Sequence, residues 1–277
     1  MEHFFLIANR GRFGALEVAD RMAGLLRNAG AEAVIGASVS GKDGRYTREN
    51  DIPGDCDCVI VVGGDGTLIA AARDTLGRAL PILGINVGKL GFLADVEVED
   101  LEEAVTALTE GNYSIEERMM LSGEVHDEKG RLIGSGEALN DIVLHRVGPL
   151  RIVEFKTWVN DNFLSPFQAD GIIVCTPTGS TGYSLSAGGP IIEPSSGMMC
   201  ITTICPHTLN NRSILLSERE VVRLLPEDDS TEVCFDARDS MPMKRGYSVI
   251  IRKSPRCTKI MRIHKESFLT VLSDKLR

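Results

Sequence analysis

Apolar runs and helix-like segments alternate through the first 110 residues of the chain. Strands are expected at residues 4–8, 32–37, 58–62 and 80–85, and helices at residues 14–29 and 68–76. The polar residues 38–55 predict a surface loop. Because the strands are apolar without alternation and helices separate them, they predict a parallel sheet covered by helices on both faces. In such sheets, ligands bind at the carboxyl ends of the strands.

After residue 95 the pattern changes to a succession of β-branched runs and turns. A helix is predicted at residues 98–109, and strands follow it. These strands are expected at residues 119–125, 142–145, 152–159, 171–176, 198–203, 220–225, 232–235 and 248–252. Asp161 and Asn162 interrupt the apolar positions as a hairpin turn would. The second half of the chain therefore predicts an all-β domain of stacked sheets.

Composition and charge restrict the kind of protein this can be. The chain has 277 residues, 43% hydrophobic and 25% charged, enough for one large or two moderate cores. A net charge of −9 disfavours nucleic acid as the main partner. No run of about 20 apolar residues predicts a membrane span, and residues 1–5 lack the charged start of a signal peptide. We therefore expect a cytoplasmic protein that binds neither nucleic acid nor membranes.

The seven cysteines are scattered along the chain and their number is odd, so they predict no disulfide framework. Cys56 and Cys58 form a close pair, but a zinc site built on such a pair needs a matching second pair. We expect reduced thiols and assign no residues as metal ligands.

The most informative segment is residues 59–68, where a buried-strand run ends in Gly-Gly-Asp-Gly-Thr. Glycines let a ligand approach the backbone closely, and the amides that open a following helix favour anions. Asp65 would be badly placed beside a phosphate unless it polarises an attacking hydroxyl or holds a metal ion. The alternative is an Asp-Gly hairpin turn. We disfavour that alternative because residues 68–78 are helix-like and no second strand follows.

A second segment, residues 169–189, repeats this design. An apolar strand at residues 172–175 leads into a turn rich in hydroxyls and glycines, which also contains Tyr183. Small hydroxyl groups suit phosphate or ribose, and the tyrosine ring is available to stack on a base. The alternative is an ordinary solvated loop. The length of the small-residue run between strand-like segments favours ligand binding.

In these segments the chain resembles the bacterial type of NAD kinase, the ATP-NAD kinases that phosphorylate NAD to NADP. The resemblance rests on residues 63–67, 84–93, 138–141, 170–190 and 205–209, in the family's order and spacing. The Gly-Gly-Asp-Gly element is shared with diacylglycerol, sphingosine and phosphofructokinases. The Thr-Pro-Thr-Gly-Ser-Thr segment, together with Asn140 and Asp141, is more specific.

The resemblance implies a two-domain fold. The N-terminal domain would be α/β with a parallel sheet, Rossmann-like or phosphofructokinase-like, and the C-terminal domain an all-β, sandwich-like structure. The boundaries expected are residues 1–110, with a tail of about 262–277 returning to the first domain, and residues 111–261 for the NAD-binding domain.

The resemblance also implies which residues act. Asp65 would be the catalytic proton acceptor for the 2′-hydroxyl of the adenosine ribose of NAD. The residues expected at NAD are Gly66, Asn140, Asp141, Arg151, Asp170, Thr181, Gly182, Tyr183, Ser184, Leu185, Ser186 and His207. Those expected at the phosphates of ATP are Gly63, Gly64, Gly66, Thr67, Arg73 and Asn86. Without the resemblance, Arg73 could equally be a surface charge, Arg151 would be interpreted as a surface charge, and His207 as a structural histidine.

The resemblance further implies ATP or polyphosphate as phosphoryl donor, Mg²⁺ as the divalent cation, and a homo-oligomer, either dimer or tetramer. No Walker A sequence is present to meet the charge of the phosphates. Two other functions stay open: a lipid kinase of the diacylglycerol-kinase type, and a non-catalytic dinucleotide-binding sensor. The acidic charge and the few aromatic residues disfavour the lipid kinase, and the intact Asp65 disfavours the sensor.

Overall fold

The computed structural model describes residues 1–36, 45–88, 91–148, 151–208, 212–264 and 267–275, the side chains of Asp239 and Asp274 left aside. Some sequence-based expectations fall outside these ranges, on residues 37–44, 89–90, 209 and 276–277. The chain divides into two compact units. Unit 1 comprises Met1–Arg118 and Cys257–Arg277, and unit 2 comprises Met119–Arg256.

Strands and helices follow one another along the chain as follows. The strands are β1 His3–Ala8, β2 Glu32–Ile35, β3 Cys58–Gly63, β4 Pro81–Asn86, β5 Ser114–His126, β6 Leu132–Ala138, β7 Asp141–Arg146, β8 Val153–Val159, β9 Asn162–Ala169, β10 Gly171–Cys175, β11 Met198–Ile204, β12 Ile214–Ser217, β13 Val222–Pro226, β14 Thr231–Phe235, β15 Asp239–Met243 and β16 Ser248–Arg262. The helices are α1 Ala15–Asn28, α2 Asp65–Asp74, α3 Leu101–Glu110, α4 Tyr183–Ser186 and α5 Phe268–Lys275, with single 3₁₀ turns at Glu49–Asp51, Val98–Asp100 and Thr178–Thr181.

Unit 1 is built on a parallel sheet in the order β2-β1-β3-β4, extended in parallel by Lys259 and Ile260 of β16. All six residues of β3 are buried. One face is covered by α1 and α3, and α1 buries Met22 and Leu26 there, each contributing roughly 1.5–3 kcal/mol. On the other face, Leu68 of α2 packs on the sheet at Gly84. This is the parallel sheet, covered on both faces, that the unalternating apolar runs predict.

Unit 2 consists of two antiparallel sheets. One sheet has the order β12-β11-β10-β7-β14-β15, and the other contains the run β16-β13-β8-β9 and the pair β5-β6. Apolar side chains from both sheets pack together in one buried cluster, among them Leu121, Phe155, Ile172, Val233 and Ile251. The predicted fold class, an α/β unit followed by an all-β unit of stacked sheets, is confirmed.

Several local features differ from the sequence-based prediction: strands β12 and β15 were not predicted, and β16 extends beyond the predicted residues 248–252. Helix α2 begins at Asp65 and not at residue 68, because the Gly64 carbonyl already accepts hydrogen bonds from the amides of Thr67 and Leu68, at 2.9 and 3.1 Å. Strand β6 was not predicted, since its pattern is glycine-rich and exposed. Gly136 in this strand faces the Phe235 ring, and a Cβ there would lie 2.7 Å from the ring.

None of the helices in the described part of the chain combines the length and the hydrophobicity that crossing a bilayer requires.

Candidate active site

Asp65 lies at the junction where the chain turns from the buried strand β3 into α2. Its half-buried carboxylate accepts two backbone hydrogen bonds, from the amide of Phe92 at 2.7 Å and from the amide of Leu93 at 3.2 Å. The residue belongs to the first turn of the helix, whereas the sequence analysis placed it in a turn before the helix. Two peptide groups therefore hold the carboxylate in one orientation.

Glycine is required next to this carboxylate. A Cβ built on Gly91 would overlap the Asp65 side chain, so no larger residue fits while the carboxylate keeps its position. Gly63 is restricted in the same way, since a Cβ there would lie 2.8 Å from the Cβ of Thr67. The Thr67 hydroxyl accepts a hydrogen bond of 2.9 Å from Asn9 Nδ2, which ties the first turn of α2 to the end of β1.

Arg262, the last residue of β16, binds backbone carbonyl groups of the loop that contains Phe92 and Leu93. Its guanidinium donates to the carbonyl oxygens of Leu93 at 3.1 Å and Phe92 at 3.2 Å, and pairs with Asp95 at 3.4 Å. The side chain is only 15% exposed. The peptide group between Phe92 and Leu93 is thus held on both sides, at its N–H by the Asp65 carboxylate and at its carbonyl by the Arg262 guanidinium. The sequence analysis missed Arg262.

The first turn of α2 offers space and donors for a phosphate group. Gly66 is exposed, and nothing lies within 4 Å of the position its Cβ would take. The N-terminal amides of a helix favour anions, and α2 is ten residues long. At the end of β4, Asn86 is buried; its Nδ2 donates to the Gly88 carbonyl at 2.9 Å, and its Oδ1 has no hydrogen-bond partner among the described residues. That oxygen is a buried acceptor whose hydrogen-bonding capacity is unused within the described residues.

Arg12 is a cation that the structure brings to this turn, and the sequence analysis missed it. A Cβ on Gly64 would collide with its Nη1, and a Cβ on Gly88 would lie 3.1 Å from its Cζ. The guanidinium therefore lies against Gly64, the residue before Asp65, and against Gly88. Its position in the loop after β1 gives no sequence signal, because only the fold brings that loop beside residues 64 and 88.

Arg73 does not lie at the glycine turn that precedes α2. It is in the last turn of α2, about 12 Å along the helix axis from Asp65 at 1.5 Å per residue. Its guanidinium pairs with Asp74 at 3.2 Å. The structure does not bring Arg73 to the glycine turn, because the helix carries it to the opposite end.

In unit 2, a carboxylate holds the segment that contains Asn140 and Asp141. Asp236 accepts hydrogen bonds from the amides of Leu139, Asn140 and Asp141, at 2.8, 2.7 and 3.1 Å. Asp141 is itself buried. Burial and the nearby charge of Asp236 raise the pKa of the Asp141 carboxyl to about 7. No motif in the sequence predicts that Asp236 caps this segment.

Two segments of unit 2 are packed against each other: the one that contains Asn140 and Asp141, and the hydroxyl-rich turn that follows β10. Thr176 donates from its hydroxyl to the Leu139 carbonyl at 2.6 Å and from its amide to the Asn140 carbonyl at 2.8 Å. A Cβ on Gly179 would collide with the backbone of Asn140, so glycine is needed for this contact. The hydroxyl-rich turn and the Asn-Asp segment thus form one structure.

Asp170, His207 and Tyr183 lie around this structure. Asp170 accepts a hydrogen bond of 2.7 Å from Arg146, which lowers the pKa of its carboxyl, and the nearby His207 adds to that effect. The pKa of the Tyr183 hydroxyl is raised, first by partial burial and then by the charges of Cys205, Asp141 and Asp170. The Tyr183 side chain is 48% exposed, which leaves its ring accessible.

Other predicted NAD-binding residues differ in accessibility. Leu185 and Ser186 are exposed, and Thr181 and Gly182 are half-buried. Ser184 is fully buried, and its hydroxyl is 3.2 Å from that of Thr202, so it faces the sheet and is not accessible to a ligand. Helical geometry turns Ser184 inward while its neighbours point outward.

Arg151 lies two residues before Val153 of β8, which is paired with Ala169, the residue before Asp170. Its guanidinium is 59% exposed and lies 3.9 Å from the Asp228 carboxylate. Asp228 is part of the turn between β13 and β14. This ion pair is exposed to solvent, and the role of Arg151 at NAD stays a prediction.

Comparison with known proteins identifies the family. The family model of the ATP-NAD kinase N-terminal domain matches residues 4–113, and that of the ATP-NAD kinase C-terminal domain matches residues 139–263. The NAD kinase of Lachnospira eligens is 36% identical over 100% of both chains. The NAD kinase of Desulforamulus reducens is 41% identical over 85% of this chain and 82% of its own.

Two solved structures share the fold. Yeast NADH kinase complexed with NADH has a TM-score of 0.90 at 20% identity, covering 100% of this chain and 87% of its own. The NAD kinase of Archaeoglobus fulgidus in complex with ATP has a TM-score of 0.80 at 23% identity, covering 100% of this chain and 99% of its own. The relatives and both domain models agree on the predicted enzyme, so the prediction of an NAD kinase is confirmed. The chain belongs to the NAD kinase family.

Proposed function

We propose that this chain transfers the terminal phosphoryl group of ATP to the 2′-hydroxyl of the adenosine ribose of NAD, giving NADP. One observation carries the proposal: a half-buried carboxylate, Asp65, is fixed by two amides at the start of a helix that adjoins an open glycine turn. The relatives named NAD kinase, and the structural neighbours complexed with NADH and with ATP, support the same two substrates.

In this reaction Asp65 accepts the proton of the attacking hydroxyl. Phosphoryl transfer needs an in-line nucleophile, neutralised phosphate charge and a positioned proton acceptor. The amides of Phe92 and Leu93 hold the carboxylate, so the enzyme does not have to orient it during the reaction. A fixed orientation favours proton transfer because the acceptor must lie within hydrogen-bond reach of the hydroxyl.

The donor phosphates would lie on the glycine turn. Gly66 leaves the backbone open, Gly63 packs against Thr67, and Gly64 gives room to Arg12, which supplies positive charge; the N-terminal amides of α2 supply donors. Mg²⁺ binds through one or two carboxylates and substrate phosphates while keeping several waters. Asp65 and the unpartnered Oδ1 of Asn86 are oxygen donors of that kind. When bound, the ion would neutralise charge on the phosphates.

The dinucleotide would be bound by residues of unit 2. Asn140, Asp141 and Asp170 offer amide and carboxylate groups for hydroxyls and amides of the ligand. The exposed ring of Tyr183 is available for stacking, and His207 lies near Asp170. Thr181, Gly182, Leu185 and Ser186 remain part of this proposal, whereas buried Ser184 would support the loop from inside.

A direct assay tests the function. The protein is incubated with NAD, ATP and Mg²⁺, and NADP is measured with a dehydrogenase that accepts only NADP. We expect NADP formation that depends on all three, and parallel reactions with polyphosphate in place of ATP will define the donor. Diacylglycerol offered as acceptor tests the lipid kinase. NAD binding without any NADP formation would favour the sensor and refute the proposal.

Arg12→Ala is expected to lower kcat/KM for ATP by roughly 10- to 100-fold, because a hydrogen bond to a charged group contributes about 1.5–3 kcal/mol. The KM for NAD should change little. Steady-state kinetics with each substrate varied in turn measures both. Arg10→Ala, which removes the same charge from an exposed position of the same loop, is the matched control. Equal effects of the two variants would contradict a specific role for Arg12.

Homo-oligomerisation and a cytoplasmic location also belong to this proposal. Support for both comes from the resemblance to the family described above. All seven cysteines are free thiols, as expected in a reducing compartment.

A further inference from the structure

Three potential metal ligands of different chemistry converge on one face of the antiparallel sheet in unit 2. His145 of β7 is paired directly with Glu232 of β14, and Cys234 is two residues further along β14. Side chains two residues apart on a strand point to the same face, so all three project together. Their ligand atoms all lie within 4.8 Å of one another. Across the described ranges of the chain, this is the group of three or more His, Cys, Asp or Glu side chains that satisfies this geometry.

The imidazole of His145 is oriented as a metal ligand would be. Its Nδ1 lies 2.9 Å from the carbonyl oxygen of Arg146, and a carbonyl can only accept, so Nδ1 carries the proton. The lone pair of the other nitrogen, Nε2, is then directed at Cys234 Sγ, 3.3 Å away, and accepts a hydrogen bond from the thiol that a metal ion would replace. Metal-bound histidines are ordinarily held in this way, with the second ring nitrogen donating to a backbone carbonyl or carboxylate.

The donor set selects the kind of ion. A thiolate and an imidazole favour zinc-like transition metals, whereas Mg²⁺ and Ca²⁺ prefer oxygen ligands. The charges of one thiolate and one carboxylate balance those of a divalent cation. All three side chains are half-buried, so an ion could reach them from solvent.

We propose that His145, Glu232 and Cys234 form a Zn²⁺ site with three protein ligands and one open position. Three protein ligands with a fourth position left for water or an external ligand are typical of zinc sites that are not purely structural. The 3.3 Å separation of Nε2 and Sγ is close to the spacing that a tetrahedral ion would impose. This site is separate from the Mg²⁺ required for phosphoryl transfer, and its occupancy does not depend on the proposed kinase reaction.

Metal titration of the full-length, metal-free protein tests the site. Co²⁺ is added first, because a cobalt–thiolate bond gives a charge-transfer band in the near ultraviolet, and Zn²⁺ is then added to displace it. We expect one equivalent of Co²⁺ to develop the band, Zn²⁺ to remove it, and excess Mg²⁺ to leave it unchanged. Failure to develop a thiolate band, or its loss with Mg²⁺, would overturn the proposal.

Single-site variants assign the ligands. Cys234→Ser should abolish the charge-transfer band, and His145→Asn and Glu232→Gln should each weaken Zn²⁺ affinity at least about 10-fold. The last two keep the thiol, so they stay informative if Cys234→Ser does not fold, and circular dichroism verifies the fold of each. Cys205→Ser, which removes an exposed thiol, is the control and should retain the band. Loss of the band in Cys205→Ser, or its persistence in Cys234→Ser, would refute the assignment.

Discussion

Asp65→Asn is expected to lower kcat by about 10²- to 10⁴-fold, the range over which a positioned general base contributes, while the dissociation constant for NAD stays nearly unchanged. The substitution keeps the size of the side chain and removes its ability to take the proton. An interaction made only in the transition state affects turnover and not ground-state binding. Steady-state kinetics and calorimetric titration with NAD measure the two quantities separately.

The hydrogen bonds of Asp65 define the control for this experiment. Asparagine can accept from Phe92 or Leu93 through its one oxygen, so the variant loses one of the two backbone hydrogen bonds. That loss costs about 1–3 kcal/mol of stability, which a thermal melt will detect. If turnover and NAD affinity fell by the same factor, the proton-acceptor role would be wrong and a binding or structural role would replace it.

Gly91→Ala probes the same carboxylate without changing it. The added methyl group would overlap the Asp65 side chain, so the carboxylate must rotate away from the two amides. We expect a loss of kcat in the same direction as in Asp65→Asn, although the aspartate is still present. Full activity in Gly91→Ala would mean that the fixed orientation of the carboxylate has no part in catalysis.

Local sequence was sufficient to find Asp65 and the two family-like segments. An unalternating apolar run predicts a buried strand, and glycines with a helix-like run after it predict a strand–turn–helix junction. Both signals are short-range, and the position of Asp65 depends mainly on them. At this strand–turn–helix junction, the start of α2 was misplaced, because the sequence does not reveal that the Gly64 carbonyl already accepts the first helical hydrogen bonds.

Residues that act through distant contacts could not be found in this way. Arg262 binds the carbonyl of Phe92 from 170 residues away, and Asp236 caps Leu139 from 97 residues away. Neither contact leaves a periodic pattern or a motif in the sequence. Arg12 is similar, since only the folded sheet brings the loop after β1 to Gly64.

Residue type alone also misleads about accessibility. Arg73 and Ser184 have side chains suited to a phosphate and to a sugar hydroxyl. Arg73 lies at the far end of α2 beside Asp74, and Ser184 points into the sheet toward Thr202. The packing partners of a helix determine which of its faces is buried. The residues of one short segment do not specify those partners.

We expect the free energy of unfolding to fall as pH rises from about 4 to about 7, and Asp141→Asn to remove most of that fall. Burial and the neighbouring Asp236 raise the pKa of Asp141 from 3.8 to about 7. Between these values the folded protein keeps the Asp141 proton that the unfolded chain has lost, so the folded state binds more protons and stability decreases with pH. At 1.36 kcal/mol per pKa unit, the fall amounts to about 4 kcal/mol and is complete above pH 7. Urea denaturation across this pH range measures it.

Asp170→Asn is the matched control, because its effect has the opposite sign. Arg146 lowers the pKa of Asp170, so the ionised carboxylate stabilises the fold above its unfolded pKa of about 3.8, and this contribution is lost as pH falls. Asp170→Asn should therefore weaken the protein at neutral pH, where Asp141→Asn strengthens it. An unchanged pH slope in Asp141→Asn would show that Asp141 is already ionised in the folded protein. If the slope disappears as expected, Asp141 costs stability at neutral pH, and a binding role for this carboxyl explains why the fold retains it.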